Sequence, residues 1–328
     1  MRGSIEVLGP LLVRTGEAKI SLPGGCAIGA RPVDLHIKAL EKLGAKITLE
    51  HGYIIARAKR LIGNTIFFDR QTVAGTMNTM MAAVLAEGQT VLKHCAKEPE
   101  IPDLANFLTK MGANIQGAGT DTITITGVKK LSGTKYRVIP DRIECGTFMV
   151  AAALCGEKIV IKNFRESHVE PVIEKLKETG THITLENNQV TISKNPEIKP
   201  INIITMPHPG FPTDMQAQFT SLLSLANGIS TINETIFENR FMHVEELNRM
   251  GANIFIDNGR AIINGVQKLS GAITTATDLR ASASLIIAAL GAQGTSEIHN
   301  IYHLDRGYER IEEKLEALGA KIRRINEE

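Results

Sequence analysis

One pattern of apolar and polar positions returns five times along the chain. Residues 40–47 read Leu-Glu-Lys-Leu-Gly-Ala-Lys-Ile, residues 108–115 read Leu-Thr-Lys-Met-Gly-Ala-Asn-Ile, and residues 176–183, 247–254 and 315–322 repeat the phrase with small changes. In each, apolar residues at helical spacing lead to a glycine that can take the left-handed conformation ending a helix. Alternation then predicts a strand, as in Ile47-Thr48-Leu49 or Ile254-Phe255-Ile256. A turn follows, Glu50-His51-Gly52 or Asp257-Asn258-Gly259, and a second alternating run such as Tyr53-Ile54-Ile55-Ala56 completes a hairpin. The stop glycines are Gly44, Gly112, Gly180, Gly251 and Gly319, spaced 68, 68, 71 and 68 residues apart. Such regularity marks one supersecondary unit used repeatedly.

A second motif lies between the hairpins. Asp141 to Thr147 leads into a helix of small residues, then Gly156 and Ile159-Val160-Ile161, and Asp69-Arg70, Asp214 and Asp278-Leu279-Arg280 open the corresponding segments. Each unit therefore holds two helices and about four strands, with Ala-rich helices suited to burial. The repeats predict an α/β protein of two domains, residues 1–139 and 140–328, with the boundary near 137–140. On this count Gly44 closes a unit that would begin upstream of Met1. Residues 1–139 are thus expected to form an incomplete domain, with 2–9, then Val13 and 16–22, as the helix, glycine and strand of a partial unit, and 140–328 a three-unit domain.

Composition narrows the class. A chain of 328 residues is too long for one ordinary core, and 37 Lys+Arg against 35 Asp+Glu leave a net charge of +2. With no Trp, four Tyr and ten Phe, little aromatic surface exists for stacking bases, so the expected partner is a small molecule and not a nucleic acid. The longest apolar stretches, 147–155 and 281–290, fall short of the roughly 20 residues that span a bilayer. The N-terminus does not read as a secretory signal, and the expected location is the cytoplasm. Four cysteines without a C-x-x-C pair read as reduced thiols, and nine histidines without ligand spacing predict no bound metal. No Walker or dinucleotide glycine motif occurs, and no cofactor is expected.

Three features could carry chemistry. The segment 21–32 interrupts the pattern with three glycines and two prolines around Cys26 and Arg31, an exposed loop whose thiol could be a nucleophile, a general acid, or inert. Cys95, Cys145 and Cys155 lie in or beside apolar helices and strands and read as buried packing. Arginines recur at unit junctions: Arg2, Arg31, Arg70, Arg142, Arg240, Arg280 and Arg306. Guanidinium forks beside helix N-termini are how proteins hold phosphates and carboxylates. Asp214 is either the N-cap of the helix that follows it or a base.

Several stretches carry a resemblance over the whole length: Pro-Gly-Gly-Cys-Ala-Ile-Gly-Ala-Arg-Pro-Val-Asp-Leu-His, Phe-Pro-Thr-Asp-Met-Gln-Ala-Gln-Phe, Phe-Glu-Asn-Arg-Phe-Met-His, Ala-Thr-Asp-Leu-Arg-Ala-Ser and Tyr-His-Leu-Asp-Arg-Gly-Tyr-Glu-Arg. In these the chain resembles the bacterial UDP-N-acetylglucosamine enolpyruvyl transferase family. The resemblance implies the inside-out α/β barrel fold, two domains of three repeats each. It also implies transfer of the enolpyruvyl group of phosphoenolpyruvate to the 3-hydroxyl of the sugar nucleotide, the first committed step of peptidoglycan synthesis. By the same resemblance Cys26 is the loop cysteine that protonates the methylene carbon and is alkylated by fosfomycin, and Asp214 is the carboxylate beside the attacking hydroxyl. Arg31, Arg280 and Arg306 match positions that hold phosphate and carboxylate, Arg240 one that reaches the carboxylate, and Arg2 one near the closed site. Pro32, Val33, Asp34 and Leu35, with Arg70, Thr72 and Val73, match the uridine and diphosphate pocket, and Ile236 a backbone contact to the sugar.

Two departures accompany the match. Where the family has Lys-x-Ser-Val-Gly-Ala-Thr, this chain has Arg70-Gln71-Thr72-Val73-Ala74-Gly75-Thr76, so the charge and hydroxyl are kept and the glycine moves by one. The family's N-terminal segment, with a Lys-Asn pair that meets the substrates, has no counterpart here, as a gene start placed too late would produce. The alternatives are therefore a catalytically impaired fragment that only binds ligand, or the related 3-phosphoshikimate 1-carboxyvinyltransferase.

Overall fold

The computed structural model describes residues 2–22 and 33–325. It is a mixed α/β fold, and the described chain divides into two compact units. One holds the chain up to Ile139; the other runs over Pro140–Met206 and from Gly210 on.

Three repeats build the second unit. Each contributes one inner helix of small residues, Arg142–Cys155, Gln216–Leu223 or Leu279–Gly291, and these three pack pairwise against one another. Their composition explains the placement. All of 281–288 is buried, as a helix apolar or small on all sides requires, and Gln216–Leu223 is buried throughout with its two glutamines inside. The outer helices differ: Glu166–Glu178 buries only Val169, Val172, Ile173 and Leu176, one stripe at helical spacing. Antiparallel hairpins follow, His182–Glu186 with Gln189–Ser193 and Asn253–Asp257 with Arg260–Asn264. The first unit repeats the plan with inner helices Leu8–Thr15 and Val73–Ala83, outer helices Asp34–Lys42 and Glu100–Lys110, and sheets of three and four strands.

The recurrent glycines end helices for a physical reason. Gly44, Gly112, Gly180, Gly251 and Gly319 have φ between 87° and 106°, a region costly for any residue with a Cβ. At Gly44 the glycine N–H donates to Glu41 O and the next N–H, of Ala45, to Leu40 O, the paired bonds of a Schellman stop; the same two bonds recur at the other four glycines.

Two expectations fail. After Gly319 no strand forms among residues 320–325, because a strand needs a hydrogen-bonded neighbour and the described chain supplies none there. Cys95 and Cys145 are buried, but Cys155 is exposed: it is the last residue of its inner helix, where the chain leaves the core, and its Sγ bonds only its own helix at Ala151 O, 3.2 Å away. Burial, the largest cause, pushes the Cys95 and Cys145 thiols up to about 12, so neither supplies a thiolate near neutral pH.

Candidate active site

In the second unit the start of each inner helix carries an aspartate, and two of the three are caps. Asp141 accepts from the N–H of Ile143 at 2.7 Å and Glu144 at 3.1 Å, and Asp278 from those of Arg280 at 2.8 Å and Ala281 at 3.1 Å. Asp214 is not a cap. It sits in a 3-10 turn, Thr213–Met215, ahead of helix Gln216–Leu223, and its carboxylate turns to two guanidinium groups instead. Arg240 Nη2 donates to Oδ1 at 2.6 Å and Arg280 Nη2 to Oδ2 at 3.2 Å. The cap reading of Asp214 is thereby excluded.

The surroundings set the character of this cluster. The Arg240 side chain is 3% exposed and that of Arg280 12%, whereas Asp214 is 39% exposed, so the cluster is walled by protein and open at the carboxylate. Arg280 stands in the first turn of its helix, where the dipole repels a cation and attracts an anion. A cation placed against the local field serves the helix poorly and a negatively charged ligand well. Burial pushes the Asp214 carboxyl up, but Arg280 and Arg240 pull it further down, well below the ordinary carboxylate range. Asp214 is therefore fully ionised and, while both arginines hold it, a poor base.

Neighbouring groups hold these side chains in place. The buried Glu234 carboxylate accepts from Thr205 Oγ1 at 2.9 Å, Thr213 Oγ1 at 2.8 Å, and the N–H of Ile236 at 2.8 Å and Phe237 at 3.2 Å. It thus ties the residue before Asp214 to the segment leading to Arg240. The N–H of Ile236 is spent on this bond. His243, which opens the next helix, is 1% exposed, and its Nε2 has no hydrogen-bond partner. Burial, with Arg240 adding to it against the opposing pull of Asp278, pushes its pKa down to about 4. It is neutral at pH 7. Arg306 is exposed, at the end of the 3-10 turn Ile301–Arg306.

The first unit places a second group at helix N-termini. Val33 and Asp34 begin helix Asp34–Lys42, and Leu35 is buried on it. Thr72 caps helix Val73–Ala83 by accepting from Gly75 N–H at 3.2 Å. A Cβ on residue 75 would come within 2.5 Å of the Thr72 side chain, so the glycine leaves room for this Thr72 rotamer. Arg70 is exposed just before this cap, and Lys38 Nζ reaches Asp69 Oδ2 at 3.1 Å, joining the two helix starts. A groove of about 430 Å³ opens beside them, lined by Leu35, Lys38, Phe68 and Asp69 among others.

Cys26, Arg31 and Pro32 lie outside the described residues, and so does the side chain of Arg2. Tyr308, Glu234 and His243 escaped the residue-by-residue reading, although Tyr308 and His243 fall inside the stretches that carried the resemblance. Among the described residues no group of three or more His, Cys, Asp or Glu is placed to hold a metal ion, and no helix is long and apolar enough to cross a membrane.

Known proteins share both the sequence and the fold. The family model described as EPSP synthase (3-phosphoshikimate 1-carboxyvinyltransferase) matches residues 1–315. A UDP-N-acetylglucosamine 1-carboxyvinyltransferase of Koribacter versatilis is 58% identical over 327 residues, covering 100% of this chain and 76% of the relative. A UDP-N-acetylglucosamine 1-carboxyvinyltransferase 1 of Caldanaerobacter subterraneus is also 58% identical, over 99% of this chain and 78% of its own. Among solved structures, the enolpyruvyl transferase NikO from Streptomyces tendae superposes with a TM-score of 0.88 at 26% identity, covering 98% of this chain and 77% of that one. EPSP synthase from Acinetobacter baumannii, at 21% identity and a TM-score of 0.76 over 97% of this chain and 78% of its own, shares the fold. With the family match spanning nearly the whole chain and relatives at 58% identity along it, this chain belongs to the enolpyruvyl transferase family.

Proposed function

We propose that this chain is a UDP-N-acetylglucosamine 1-carboxyvinyltransferase, transferring the enolpyruvyl group of phosphoenolpyruvate to the 3-hydroxyl of UDP-N-acetylglucosamine with release of phosphate. The observation that carries the reading is a single carboxylate, Asp214, shared between two walled-in guanidinium groups in a chain 58% identical to enzymes of that name. The reaction needs those parts. Phosphoenolpyruvate is an anion that requires cations, and the hydroxyl that attacks it must lose a proton. Arg240 and Arg280 take the anionic groups, and by the resemblance Arg31, Arg306 and Arg2 are further substrate-binding residues. Asp214 takes the hydroxyl proton. An anion arriving on the two arginines competes for the N–H groups that hold Asp214, so substrate binding strengthens the base when it is needed.

Cys26 supplies the proton to the methylene carbon, which leaves the neighbouring carbon open to the sugar oxygen. Loss of phosphate, with return of a proton from the new methyl group, restores the double bond. In the first unit, Pro32, Val33, Asp34, Leu35, Arg70, Thr72 and Val73 hold the uridine and diphosphate, and Ile236 offers its backbone to the sugar. Its N–H is already engaged by Glu234, so that contact falls to the carbonyl, which selects a donor on the ligand. No cofactor enters. The product feeds peptidoglycan synthesis, and both substrates place the chain in the cytoplasm.

The test is phosphate release from phosphoenolpyruvate with each acceptor. We expect release with UDP-N-acetylglucosamine and none above background with 3-phosphoshikimate. The reverse preference would transfer the chain to the other branch of the family, and no release with either would leave a binding protein.

A further inference from the structure

Arg280 is held by more than its ion pair. While Nη2 faces Asp214, Nη1 donates to the phenol oxygen of Tyr308 at 3.0 Å. That oxygen lies 2.8 Å from Thr147 Oγ1, to which Gln218 Nε2 also donates at 3.0 Å. Counting protons gives the bonds a direction. Thr147 Oγ1 is 2.8 Å from the Ile143 carbonyl oxygen, which can only accept, so the threonine proton goes there. Thr147 then accepts from Gln218 and from Tyr308. With its own proton committed, the phenol has only lone pairs to offer Arg280, which is what a guanidinium requires. Donation runs in one sense, from Arg280 through Tyr308 and Thr147 to a backbone carbonyl.

The anchor is also rigid. Thr147 and Tyr308 are each 2% exposed and Gln218 is fully buried, so no water competes for these bonds. Thr147 belongs to inner helix Arg142–Cys155, Gln218 to Gln216–Leu223 and Arg280 to Leu279–Gly291, so all three inner helices meet in the network. The phenol ring sits in a buried cluster with Leu304, Ile311 and Leu315, and its centroid lies 5.6 Å from the Arg280 guanidinium carbon. Both ring and hydroxyl therefore meet Arg280, and a phenylalanine keeps the first contact while losing the second.

We propose that Tyr308 is a positioning residue whose hydroxyl, backed by Thr147, fixes the Arg280 guanidinium in the orientation that receives the anionic substrate. The inference rests on the reading of Arg280 as an anion-binding residue. A long side chain ordered beforehand does not pay its ordering cost when ligand binds.

Tyr308→Phe tests it, since the ring stays and only the oxygen goes. A bond to a charged group of this kind predicts a rise in KM for phosphoenolpyruvate of about tenfold or more. KM for the sugar nucleotide should stay within about twofold, a split that general loosening of the fold would not produce. Thr147→Val should reproduce the split, and Thr147→Ser, which keeps the hydroxyl, should restore wild-type values. If Tyr308→Phe fails to fold, the two Thr147 variants decide. Equal rises in both KM values, or an unchanged KM for phosphoenolpyruvate, would overturn the proposal. Should the wild-type chain turn over neither substrate, the function reading fails, and the nuclear magnetic resonance signals of the Arg280 Nη–H groups judge the positioning by itself. Resolved signals that merge in Tyr308→Phe support it, and signals identical in both proteins refute it.

Discussion

Asp141, Asp214 and Asp278 stand at the same place in three successive repeats of the second unit, yet they meet different partners. Asp141 and Asp278 satisfy two backbone N–H groups each at the head of an inner helix. Asp214 satisfies none and spans Arg240 and Arg280. The difference starts in the backbone: the 3-10 turn Thr213–Met215, tied to Glu234 through Thr213, lifts Asp214 off its helix. A repeat that gives up its cap loses about 1 kcal/mol of helix stability. What it gains is an ionised carboxylate beside two cations, so the departure from the repeat marks the site.

The comparison can be broken from the cation side. Arg280→Leu removes one holder of Asp214, one candidate anion contact and the donor to Tyr308 together. Loss of one preorganised donor lowers kcat/KM by about 10²–10³-fold, and steady-state phosphate release should show at least that. A fall of less than about threefold would remove Arg280 from the machinery.

A smaller effect separates the buried His243 from the solvated groups around the cluster. Its folded pKa, near 4, lies below the ordinary 6.5, so between those values the unfolded chain takes up a proton that the folded chain refuses. The stabilisation is complete above pH 6.5 and drains away as pH falls toward 4, up to about 3 kcal/mol in all. Urea unfolding followed by circular dichroism at pH 7 and pH 5 should show the loss, and His243→Gln should flatten it. Identical pH profiles for the two proteins would mean that His243 titrates normally.

Much of this architecture is legible in the order of residues, because the devices that build it are local. Gly44 and its four counterparts stop helices through their own φ, and Asp257-Asn258-Gly259 turns a hairpin through positive φ at Asn258 and Gly259. Arg240 and Arg280 were both legible among the junction arginines, but they do not share one position: Arg280 opens inner helix Leu279–Gly291, whereas Arg240 precedes helix His243–Arg249. Asp214 was legible as a residue but not as a role: an acid ahead of a helix caps or pairs depending on whether distant guanidinium groups arrive, and Arg240 and Arg280 lie 26 and 66 positions away. Tyr308 and Thr147 are 161 positions apart, and a lone Thr in a small-residue helix gives no sign of what it will meet. Cys155 was misread because helical periodicity tells which face is apolar but not where the core ends.

The central claim, that Asp214 acts in the chemistry while its counterparts only hold helices, is tested most directly by one paired assay. Asp214→Asn and Asp141→Ala are each followed for phosphate release with both substrates and for thermal midpoint. The account predicts that Asp214→Asn loses about 10²–10⁴-fold in kcat. Asp141→Ala should keep wild-type turnover at a temperature where it is folded, with a cost of about 1 kcal/mol in stability. Wild-type turnover by Asp214→Asn, or an equal loss of kcat in both variants, would contradict it.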